Sequence, residues 1–438
     1  MGDSDTIFAL ATPPGRSAVA VFRISGPRAG EILAGVTMAP LPAPRSYRLR
    51  ELCDPGSGDK IDLALVSFFR GPHSFTGEDC VELSVHGGRG VISAIAGILS
   101  RSGYVRPAEP GEFTRRAFLN GKLDLVQVEA IADLIDSETE FQRRQALRAL
   151  EGGLGRRLAA WTARLLDVAV ELESNLDFSD EADVQDAGTA ALAANCVELV
   201  REMQQQLDVS SGTMLLREGF TVVIAGPPNV GKSSIFNALV GTDAAIVTDV
   251  AGTTRDLIAR SLDIEGAPVM LIDSAGLRDT SDPVERIGVE RARTAAGIAD
   301  LAIWLNSPDV PAAPPPDLGV PILQVWSKSD LATTDRGGMQ VSVHRPETVE
   351  ALRRELRVRT VSVAGDGTQG DLIRERHKSA LRDCITHLES LRLNAEGLSL
   401  ELAAEDCREA RACLGRIVGE EAPEKLLDEI FGRFCIGK

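Results

Sequence analysis

The sequence lacks several features that would assign it to a common class of protein. Its 438 residues contain no run of about 18 apolar residues, so no transmembrane helix is expected. The start, MGDSDTIFALATPPG, lacks a basic region followed by a long apolar stretch, which argues against a secretory signal. We therefore expect a cytoplasmic protein.

Cysteine, histidine and positive charge are also in short supply. The seven cysteines form no CxxC pair, and the five histidines show no HExxH-type spacing, so neither a disulfide framework nor a zinc site is expected. Most cysteines should be buried as small apolar side chains. The net charge is −17, whereas a protein that binds nucleic acid unaided usually has a basic excess. Action on nucleic acid would therefore require a local basic patch or a basic partner.

The residue pattern changes along the chain, which predicts several domains. Up to about residue 120, β-rich runs such as AVAVFRISG, LALVSFFRGP and CVELSVHGG alternate with turns, as in an α/β or α+β domain. Residues 121–216 carry apolar residues at helical spacing, and residues 372–438 return to that pattern. Between them, residues 217–371 alternate apolar strands with helix-like segments, interrupted by a Pro-rich loop that should be exposed. An α/β block is thus predicted to be inserted in a helical domain.

The stretch TVVIAGPPNVGKSSIFNAL carries the strongest functional signal. The apolar run Thr221–Ala225 leads into Gly226-x-x-x-x-Gly231-Lys232-Ser233, and a helical run follows. Glycines let backbone N–H groups surround phosphates, while Lys232 reaches the β- and γ-phosphates and Ser233 can coordinate Mg²⁺. The context predicts a P-loop at the start of a helix, whose dipole favours phosphate.

Three further motifs follow in the order of a GTPase. In LIDSAG, Asp273 can hold the Mg²⁺ water shell and the Gly276 amide can contact the γ-phosphate. In AGTTRD, Thr253 or Thr254 can close over Mg²⁺. In VWSKSDL, the Lys328-x-Asp330 pattern indicates guanine recognition, because a carboxylate accepts two hydrogens that adenine does not offer.

The catalytic group and the positive charge for the transition state are less clearly marked. Leu277 stands where Ras-like GTPases have a water-orienting glutamine. Glu285 is one candidate for polarising the water, directly or through a second water, and the alternative is a solvated acidic residue. Arg255, Arg278 or a monovalent cation could supply the charge.

Motifs along the whole chain resemble the MnmE (TrmE) family of tRNA modification GTPases. They are ATPPGR, FRISG, SFTGEDCVEL with HGG, RPAEPGEFTRRAFLNGKLDL, EAIADLI, LREG, GPPNVGKSS, AAIVTDVAGTTRD, DSAGLR, VERIGVERA and FCIGK. The resemblance implies an α/β N-terminal tetrahydrofolate-binding and dimerisation domain in residues 1–120. It also implies an all-α helical domain in 121–216 and 372–438, and an inserted Ras-like G domain in 217–371.

The resemblance also implies how GTP is hydrolysed. Hydrolysis is stimulated by potassium-dependent dimerisation of G domains, and Glu285 helps to position the attacking water. The implied potassium ligands are Asn229, Thr248, Thr253 and the carbonyl of Val250, and the implied magnesium ligands are Ser233 and Thr254. The expected GTP-binding residues are Asn229, Val230, Gly231, Lys232, Ser233, Ser234, Thr248, Thr253, Thr254, Asp273, Gly276, Lys328 and Asp330.

A folate site and a partner protein are implied as well. Arg23, Glu82, Lys122 and Lys438 correspond to family contacts with a 5-formyl- or methylene-tetrahydrofolate derivative. Cys435 is expected to be a catalytic thiol, the alternative being a structural tail. The family acts as a homodimer in a heterotetramer with the FAD-containing MnmG protein. Together they install an aminomethyl or carboxymethylaminomethyl group at C5 of the wobble uridine, position 34. FAD belongs to the partner alone, which should also hold most of the tRNA because this chain is acidic.

Two motifs depart from the family pattern. Ser327 stands where the guanine motif usually has asparagine, and the shorter side chain is expected to lose a hydrogen bond that steadies the loop. The fifth GTPase motif, VSVAGDG, keeps Ser362 but lacks the usual Ser-Ala pair, and no individual contacts are assigned to it.

Two other functions fit parts of the sequence. A signalling or ribosome-assembly GTPase would share the nucleotide motifs, but not the folate-domain motifs or FCIGK. A lipid-anchored GTPase is suggested by MGDSDT and CIGK. Gly437 is not aliphatic, Lys438 is not a usual final residue and neither end carries a polybasic patch, so no membrane attachment is expected.

Overall fold

The computed structural model describes residues 5–177, 185–241, 258–273, 297–331, 337–364, 374–395, 399–420 and 422–438. The chain divides into two compact units. One contains the residues up to Ala132 together with Gly415–Lys438, and the other spans Asp133–Leu414.

The first unit is built on a mainly antiparallel sheet. The described strands lie in the order β3-β4-β5-β2-β1-β6, and only β1 and β6 run parallel. The strands are β1 (Thr6–Leu10), β2 (Ser17–Ser25), β3 (Arg48–Cys53), β4 (Lys60–Phe69), β5 (Cys80–Gly87) and β6 (Val105–Pro107). The strands β2, β4 and β5 confirm the three runs predicted from sequence.

Alternating side chains give this sheet two different faces. Val81, Leu83 and Val85 of β5 point to the face covered by α1 (Ala29–Thr37) and α2 (Arg89–Arg101), where they form a large apolar core. The helix α3 (Glu112–Leu119) packs on the opposite face, which we call the outer face. There its buried Phe113 contacts Ile7 and Ala9 of β1.

The C-terminal residues complete this unit. The helix α12 (Glu424–Gly432) places Phe431 and the following Phe434 against Leu125 and Val128, at the start of α4 (Leu125–Ile135). A single β-bridge joins Ile436 to Pro110. The end of the chain is thus packed on the N-terminal sheet domain, more than 300 positions away in sequence.

The second unit begins with a helical region. Its helices are α5 (Glu140–Leu150), α6 (Gly153–Asp177), α7 (Gln185–Glu218), α10 (Glu375–Ala395) and α11 (Leu400–Val418). Polar contacts between neighbouring helices supplement their apolar packing. The Trp161 indole on α6 donates to Glu202 on α7 at 2.8 Å, and the Cys407 thiol on α11 donates to the Leu165 carbonyl at 3.3 Å.

A parallel sheet forms the rest of this unit. Its described strands lie in the order β12-β11-β10-β7-β9-β8, and only β8 and β9 run antiparallel. The strands are β7 (Phe220–Ala225), β8 (Ile258–Ile264), β9 (Ala267–Asp273), β10 (Leu301–Asn306), β11 (Ile322–Trp326) and β12 (Met339–Gln340). Helices α8 (Lys232–Gly241) and α9 (Pro346–Ala364) pack on it through the apolar cluster that includes Phe236 and Leu352. The predicted fold class, an α/β N-terminal domain, a helical domain and a Ras-like α/β domain, is confirmed.

The chain enters and leaves the parallel-sheet region at one place, which we call the neck. Arg217 precedes β7 and Arg374 precedes α10, and both guanidinium groups donate to the same oxygen, Oδ1 of Asp133, at 3.1 and 2.8 Å. The Gln142 amide of α5 also donates to the Arg217 carbonyl at 3.2 Å. Burial and the nearby Asp133 charge raise the pKa of Asp136.

The burial of the cysteines and the apolarity of the helices were both predicted from composition. The buried cysteines are Cys80, Cys196, Cys384, Cys407 and Cys413, which confirms the prediction for most of the seven. Burial raises the pKa of Cys196 to about 12, as expected for a thiol in an apolar core. Among the helices that the structure describes, none has the length and apolarity needed to cross a bilayer.

Candidate functional site

The predicted P-loop joins β7 to α8 at the carboxyl edge of the parallel sheet. A Cβ atom on Gly226 would lie 2.4 Å from the Leu305 carbonyl oxygen, so only glycine fits there. The Lys232 ammonium donates to the carbonyls of Gly226 and Pro227 at 3.0 and 2.8 Å. Burial lowers the pKa of Lys232, and the nearby Asp273 carboxylate partly opposes this shift.

The strand β9 brings a carboxylate to the start of α8. Asp273 is the last residue of β9, where it is paired in register with Ile224 of β7, and it is buried. The Ser233 hydroxyl donates to Oδ2 of Asp273 at 3.1 Å. A hydroxyl and a carboxylate oxygen beside a phosphate-binding loop are the donor types that Mg²⁺ prefers. The residues at this position therefore fit a magnesium site.

Lys328 and Asp330 follow β11 on the other side of the P-loop. The Lys328 ammonium donates to the Asn229 carbonyl at 2.8 Å and to the Asp309 carboxylate at 2.7 Å. Both Lys328 and Asn229 have positive φ angles, 52° and 62°, which non-glycine residues seldom adopt. The two loops are thus held against each other in a constrained geometry.

Ser327 ties these two loops together, contrary to the expectation that a hydrogen bond would be lost. Its buried hydroxyl lies 2.5 Å from the Val230 carbonyl oxygen of the P-loop and 3.1 Å from the Asn306 carbonyl oxygen. The short side chain reaches because β10 and β11 are adjacent parallel strands. The serine therefore still provides a tether to the P-loop.

The fifth motif, VSVAGDG, lies only partly within the described residues, so its assignment stays a prediction. Ser362 is exposed on α9, where its hydroxyl donates to the Arg359 carbonyl at 2.8 Å. The serine that reaches the predicted base site is Ser342, whose hydroxyl donates to Oδ1 of Asp330 at 2.5 Å. This hydrogen bond lowers the pKa of Asp330, so the carboxylate stays ionised as guanine recognition requires.

A cleft of about 200 Å³ opens beside Asp330. Its lining consists of Gly231, Ser234, Ile235, Ser327, Lys328, Asp330, Leu331, Val343 and His344. Val343 and His344 were missed by the sequence interpretation. The signal that could have found them is the serine in VSVHRP, directly after the two-residue strand β12 and before α9.

Part of the predicted site lies outside the described residues. These positions include the potassium and magnesium loop, the glycine of the DxxG motif and the predicted catalytic glutamate with its alternatives. They are Thr248, Val250, Thr253, Thr254, Arg255, Gly276, Leu277, Arg278 and Glu285.

A second group of predicted residues meets on the outer face of the N-terminal sheet. Arg23 of β2 and Glu82 of β5 are partners in register, and the guanidinium donates to Oε1 of Glu82 at 2.8 and 3.1 Å. The guanidinium carbon also lies 5.4 Å from the centre of the Phe75 ring and 5.9 Å from that of Phe113. These are cation–π distances, so two aromatic rings and a carboxylate surround one cation.

The other two predicted folate contacts lie around the same elements. The Lys122 ammonium donates to the Pro72 carbonyl at 3.1 Å, in the loop that carries Phe75. The Lys438 carbonyl accepts a hydrogen bond from the Phe113 amide at 3.2 Å. Cys435, three residues before Lys438, is exposed. The C-terminal tail is therefore held beside the helix whose aromatic ring faces Arg23.

A buried network that the sequence interpretation missed holds the loop bearing Phe75. The Ser25 hydroxyl lies 2.7 Å from the Thr76 hydroxyl and donates to Glu78 at 2.8 Å. Glu78 also accepts two hydrogen bonds from Arg116 of α3, at 3.1 and 3.2 Å. The FRISG and SFTGEDCVEL motifs supply three of these four residues, so the loop is fixed by side chains rather than by strand pairing.

The parallel sheet, the P-loop and the Lys328-x-Asp330 motif define a P-loop GTPase. Comparison with known families makes this more specific. Residues 125–435 match the model of the MnmE helical domain, and residues 6–122 match that of the GTP-binding protein TrmE N-terminus. The chain belongs to the MnmE family of tRNA modification GTPases.

Individual relatives are similar over their whole length. The chain is 45% identical to the tRNA modification GTPase MnmE of Beijerinckia indica subsp. indica, covering 99% of this chain and 96% of that protein. It is 47% identical to MnmE of Methylobacterium radiotolerans, covering 100% of both. The solved G domain of the T. maritima FeoB iron transporter matches 33% of this chain and 98% of that domain at 26% identity, with a TM-score of 0.23. The family assignment rests on the sequence matches.

Proposed function

We propose that this chain hydrolyses GTP as part of a tRNA modification enzyme. With an FAD-containing protein of the MnmG type, it would add an aminomethyl or carboxymethylaminomethyl group to C5 of the wobble uridine, position 34, of certain tRNAs. The observation that carries the proposal is the arrangement at one sheet edge. The Ser233–Asp273 pair lies on one side of the P-loop, and Lys328 and Asp330, bonded to Asn229 and Ser342 respectively, lie on the other.

Different residues around the P-loop would bind the base, the phosphates and the magnesium ion. Asp330 would accept the two guanine hydrogens, and Lys328 would lie against the base. Lys232 would exchange its two carbonyl acceptors for phosphate oxygens, and Ser233 and Thr254 would hold Mg²⁺. Magnesium bound there would neutralise charge that develops on the phosphates.

Potassium-dependent pairing of G domains is the second part of the proposal. Asn229, Thr248, Thr253 and the Val250 carbonyl would hold the ion, and Glu285 would position the attacking water. Turnover of GTP should be faster in potassium than in sodium at equal ionic strength. Equal rates in the two salts would remove Asn229 from this role, and activity with ATP would contradict the assignment of Asp330.

We also propose that the chain forms a homodimer through its N-terminal unit. On the outer face of the sheet, Leu49 and Leu65 are paired in register and are 57% and 46% exposed, beside Tyr47 at 61%. A cluster of exposed apolar side chains is typical of an interaction surface. Light scattering of the purified chain should give twice the monomer mass, and a monomer would contradict this part.

The N-terminal site is proposed to bind a tetrahydrofolate derivative. Arg23, Lys122 and Lys438 are cations suited to the glutamate carboxylates of folate, and Glu82 is suited to its pterin N–H groups. The aromatic rings that face Arg23 suit a planar heterocycle. Bound folate would supply the one-carbon unit. Titration of the purified chain with 5-formyltetrahydrofolate tests this proposal, and a lack of binding would contradict it.

The proposed tRNA chemistry needs the partner. A chain with a net charge of −17 should bind tRNA weakly at physiological salt, so the MnmG-type protein would supply most of the tRNA surface. Mass spectrometry of wobble uridines from cells lacking this chain should find the modification missing. Fully modified uridines would favour a GTPase that only switches partners.

Cys435 is proposed to provide a thiol for the modification. It is exposed in the tail that packs beside α3, and a thiol can act there as nucleophile or acid. Cys435→Ser should leave GTP hydrolysis near normal and abolish tRNA modification. Retained modification would reduce this residue to part of a structural tail.

A further inference from the structure

A buried hydroxyl lies next to the Arg23–Glu82 pair and has no assigned role. Ser67 of β4 is fully buried, and among the described residues its Oγ atom has no hydrogen-bond partner. A buried hydroxyl without a partner typically costs about 1–3 kcal/mol. Such a group is unusual in a folded protein and calls for an explanation.

The strand register fixes the direction in which Ser67 points. Its neighbours Val66 and Phe68 belong to the apolar core beneath α1 and α2. Ser67 therefore points to the outer face. It is paired in register with Glu82, which in turn is paired with Arg23. Side chains of directly opposed residues have Cβ atoms about 4.5–5.5 Å apart, so the three lie in one row across the sheet.

The burial of Ser67 is local. Leu65, two residues earlier on the same strand and face, is 46% exposed, whereas Ser67 is 0% exposed. Burial therefore increases between the row of Leu65 and the row that holds the Arg23–Glu82 pair. The hydroxyl therefore lies in the same row as the Arg23–Glu82 pair and not in the apolar core.

The chemistry of the neighbours suggests what the hydroxyl binds. Both hydrogen bonds from Arg23 end on the same oxygen of Glu82, Oε1. A hydroxyl beside a carboxylate offers one donor and two acceptor positions next to an acceptor-only group. A pterin ring presents N–H donors and carbonyl or ring-nitrogen acceptors on one edge.

We propose that Ser67 is a ligand-binding residue of the folate site, and that its hydroxyl hydrogen-bonds to the heterocyclic ring of the bound tetrahydrofolate derivative beside Glu82. This inference rests on the folate binding proposed above. Because Ser67 is 0% exposed in the free protein, the side chains over its hydroxyl must move aside when the ligand binds, and the new hydrogen bond then offsets the unfavourable burial.

Ser67→Ala separates this role from a structural one. Loss of an unpartnered hydroxyl should leave the melting temperature of the free protein unchanged or higher, because no hydrogen bond within the protein is removed. The dissociation constant for 5-formyltetrahydrofolate, measured by isothermal titration calorimetry, should rise about five- to tenfold. A purely structural residue would show the opposite pattern, with a lower melting temperature.

Ser84→Ala is the matched control. Ser84 lies on β5 on the same face, two residues from Glu82, and is paired with Leu65. Its loss should change the dissociation constant less than twofold. Equal affinity of wild type and Ser67→Ala, or a lower melting temperature of free Ser67→Ala, would overturn the role of Ser67. Failure of the wild-type chain to bind 5-formyltetrahydrofolate would instead overturn the folate proposal and this inference with it.

Discussion

The nucleotide site and the N-terminal site of this chain are built in different ways. Around the P-loop, side chains mostly bond to backbone carbonyls: Lys232 to Gly226, and Ser327 to Val230. In the N-terminal unit, side chains bond mainly to one another, as in the Arg23–Glu82 pair. A backbone-built site tolerates changes in several side chains, whereas a side-chain network depends on every member.

Asp330→Asn should have the largest effect, because recognition of guanine depends on this one side chain and not on the backbone. An asparagine amide offers one acceptor where guanine needs two, so the KM for GTP should rise about a thousandfold or more. Xanthosine triphosphate, which has a carbonyl in place of the guanine amino group, should become the better substrate. Steady-state hydrolysis of both nucleotides measures this. Asp317→Asn in the exposed loop after β10 serves as control, and unchanged GTP preference in Asp330→Asn would contradict the assignment.

Lys232→Ala should reduce GTP turnover about a hundred- to a thousandfold, because a preorganised cation is removed from the phosphates. Folate binding should stay unchanged, since Lys232 and Arg23 belong to different units. Phosphate release and calorimetry on the same preparation test both statements. Lys425→Ala on the exposed side of α12 is the control for loss of a lysine. A parallel loss of folate affinity would show that the two sites are not independent.

Glu82→Gln should weaken 5-formyltetrahydrofolate binding about ten- to a hundredfold, because a charge-assisted hydrogen bond is lost and Arg23 is left without its carboxylate. GTP turnover should remain within about twofold. Glu51→Gln is the matched control, since Glu51 forms an exposed ion pair with Lys60 on the same sheet and such pairs contribute little. Equal folate affinity of Glu82→Gln and wild type would remove Glu82 from the site.

Ser327→Asn should have the smallest effect. It tests whether a site held by backbone carbonyls tolerates a change of side chain. Since the serine hydroxyl already reaches the Val230 carbonyl, restoring the usual asparagine should change GDP affinity less than about threefold. Ser327→Ala removes the tether and should weaken affinity about five- to tenfold. Fluorescent-nucleotide binding measures all three proteins. A large gain for Ser327→Asn would mean that the serine tether is inadequate.

The two sites also differ in what their sequence revealed. The P-loop could be predicted because its glycines, Lys232 and Ser233 lie in one short stretch of sequence with a fixed spacing, and backbone geometry determines their positions. The row formed by Arg23, Glu82 and Ser67 depends on strand register, which no local pattern encodes. Arg23 and Glu82 were found through family resemblance, and Ser67 was not found at all.

The helical position of Ser362 has a specific physical cause. The stretch VRTVSVA is β-branched and alternating, which favours a strand. In the structure it is the end of α9, because Leu352, Leu356, Thr360 and Ala364 are buried at a spacing of four residues. Tertiary packing of that stripe outweighs the local preference, and the hydroxyl that bonds to Asp330 is that of Ser342.

The neck has a consequence for how such a chain can be assembled from parts. Because Arg217 and Arg374 bond to one oxygen of Asp133, the two ends of the inserted domain lie together. Closing a loop costs only about 0.6 kcal/mol more for each doubling of its length, and a folded insert with adjacent ends avoids most of that cost. For the helical bundle, the free energy of closing this connection is therefore about as small as that of a short hairpin loop. A domain whose ends lie equally close together could be joined to the bundle here, provided that it also replaces the packing of Ala267 and Ala364 against Phe141 of α5.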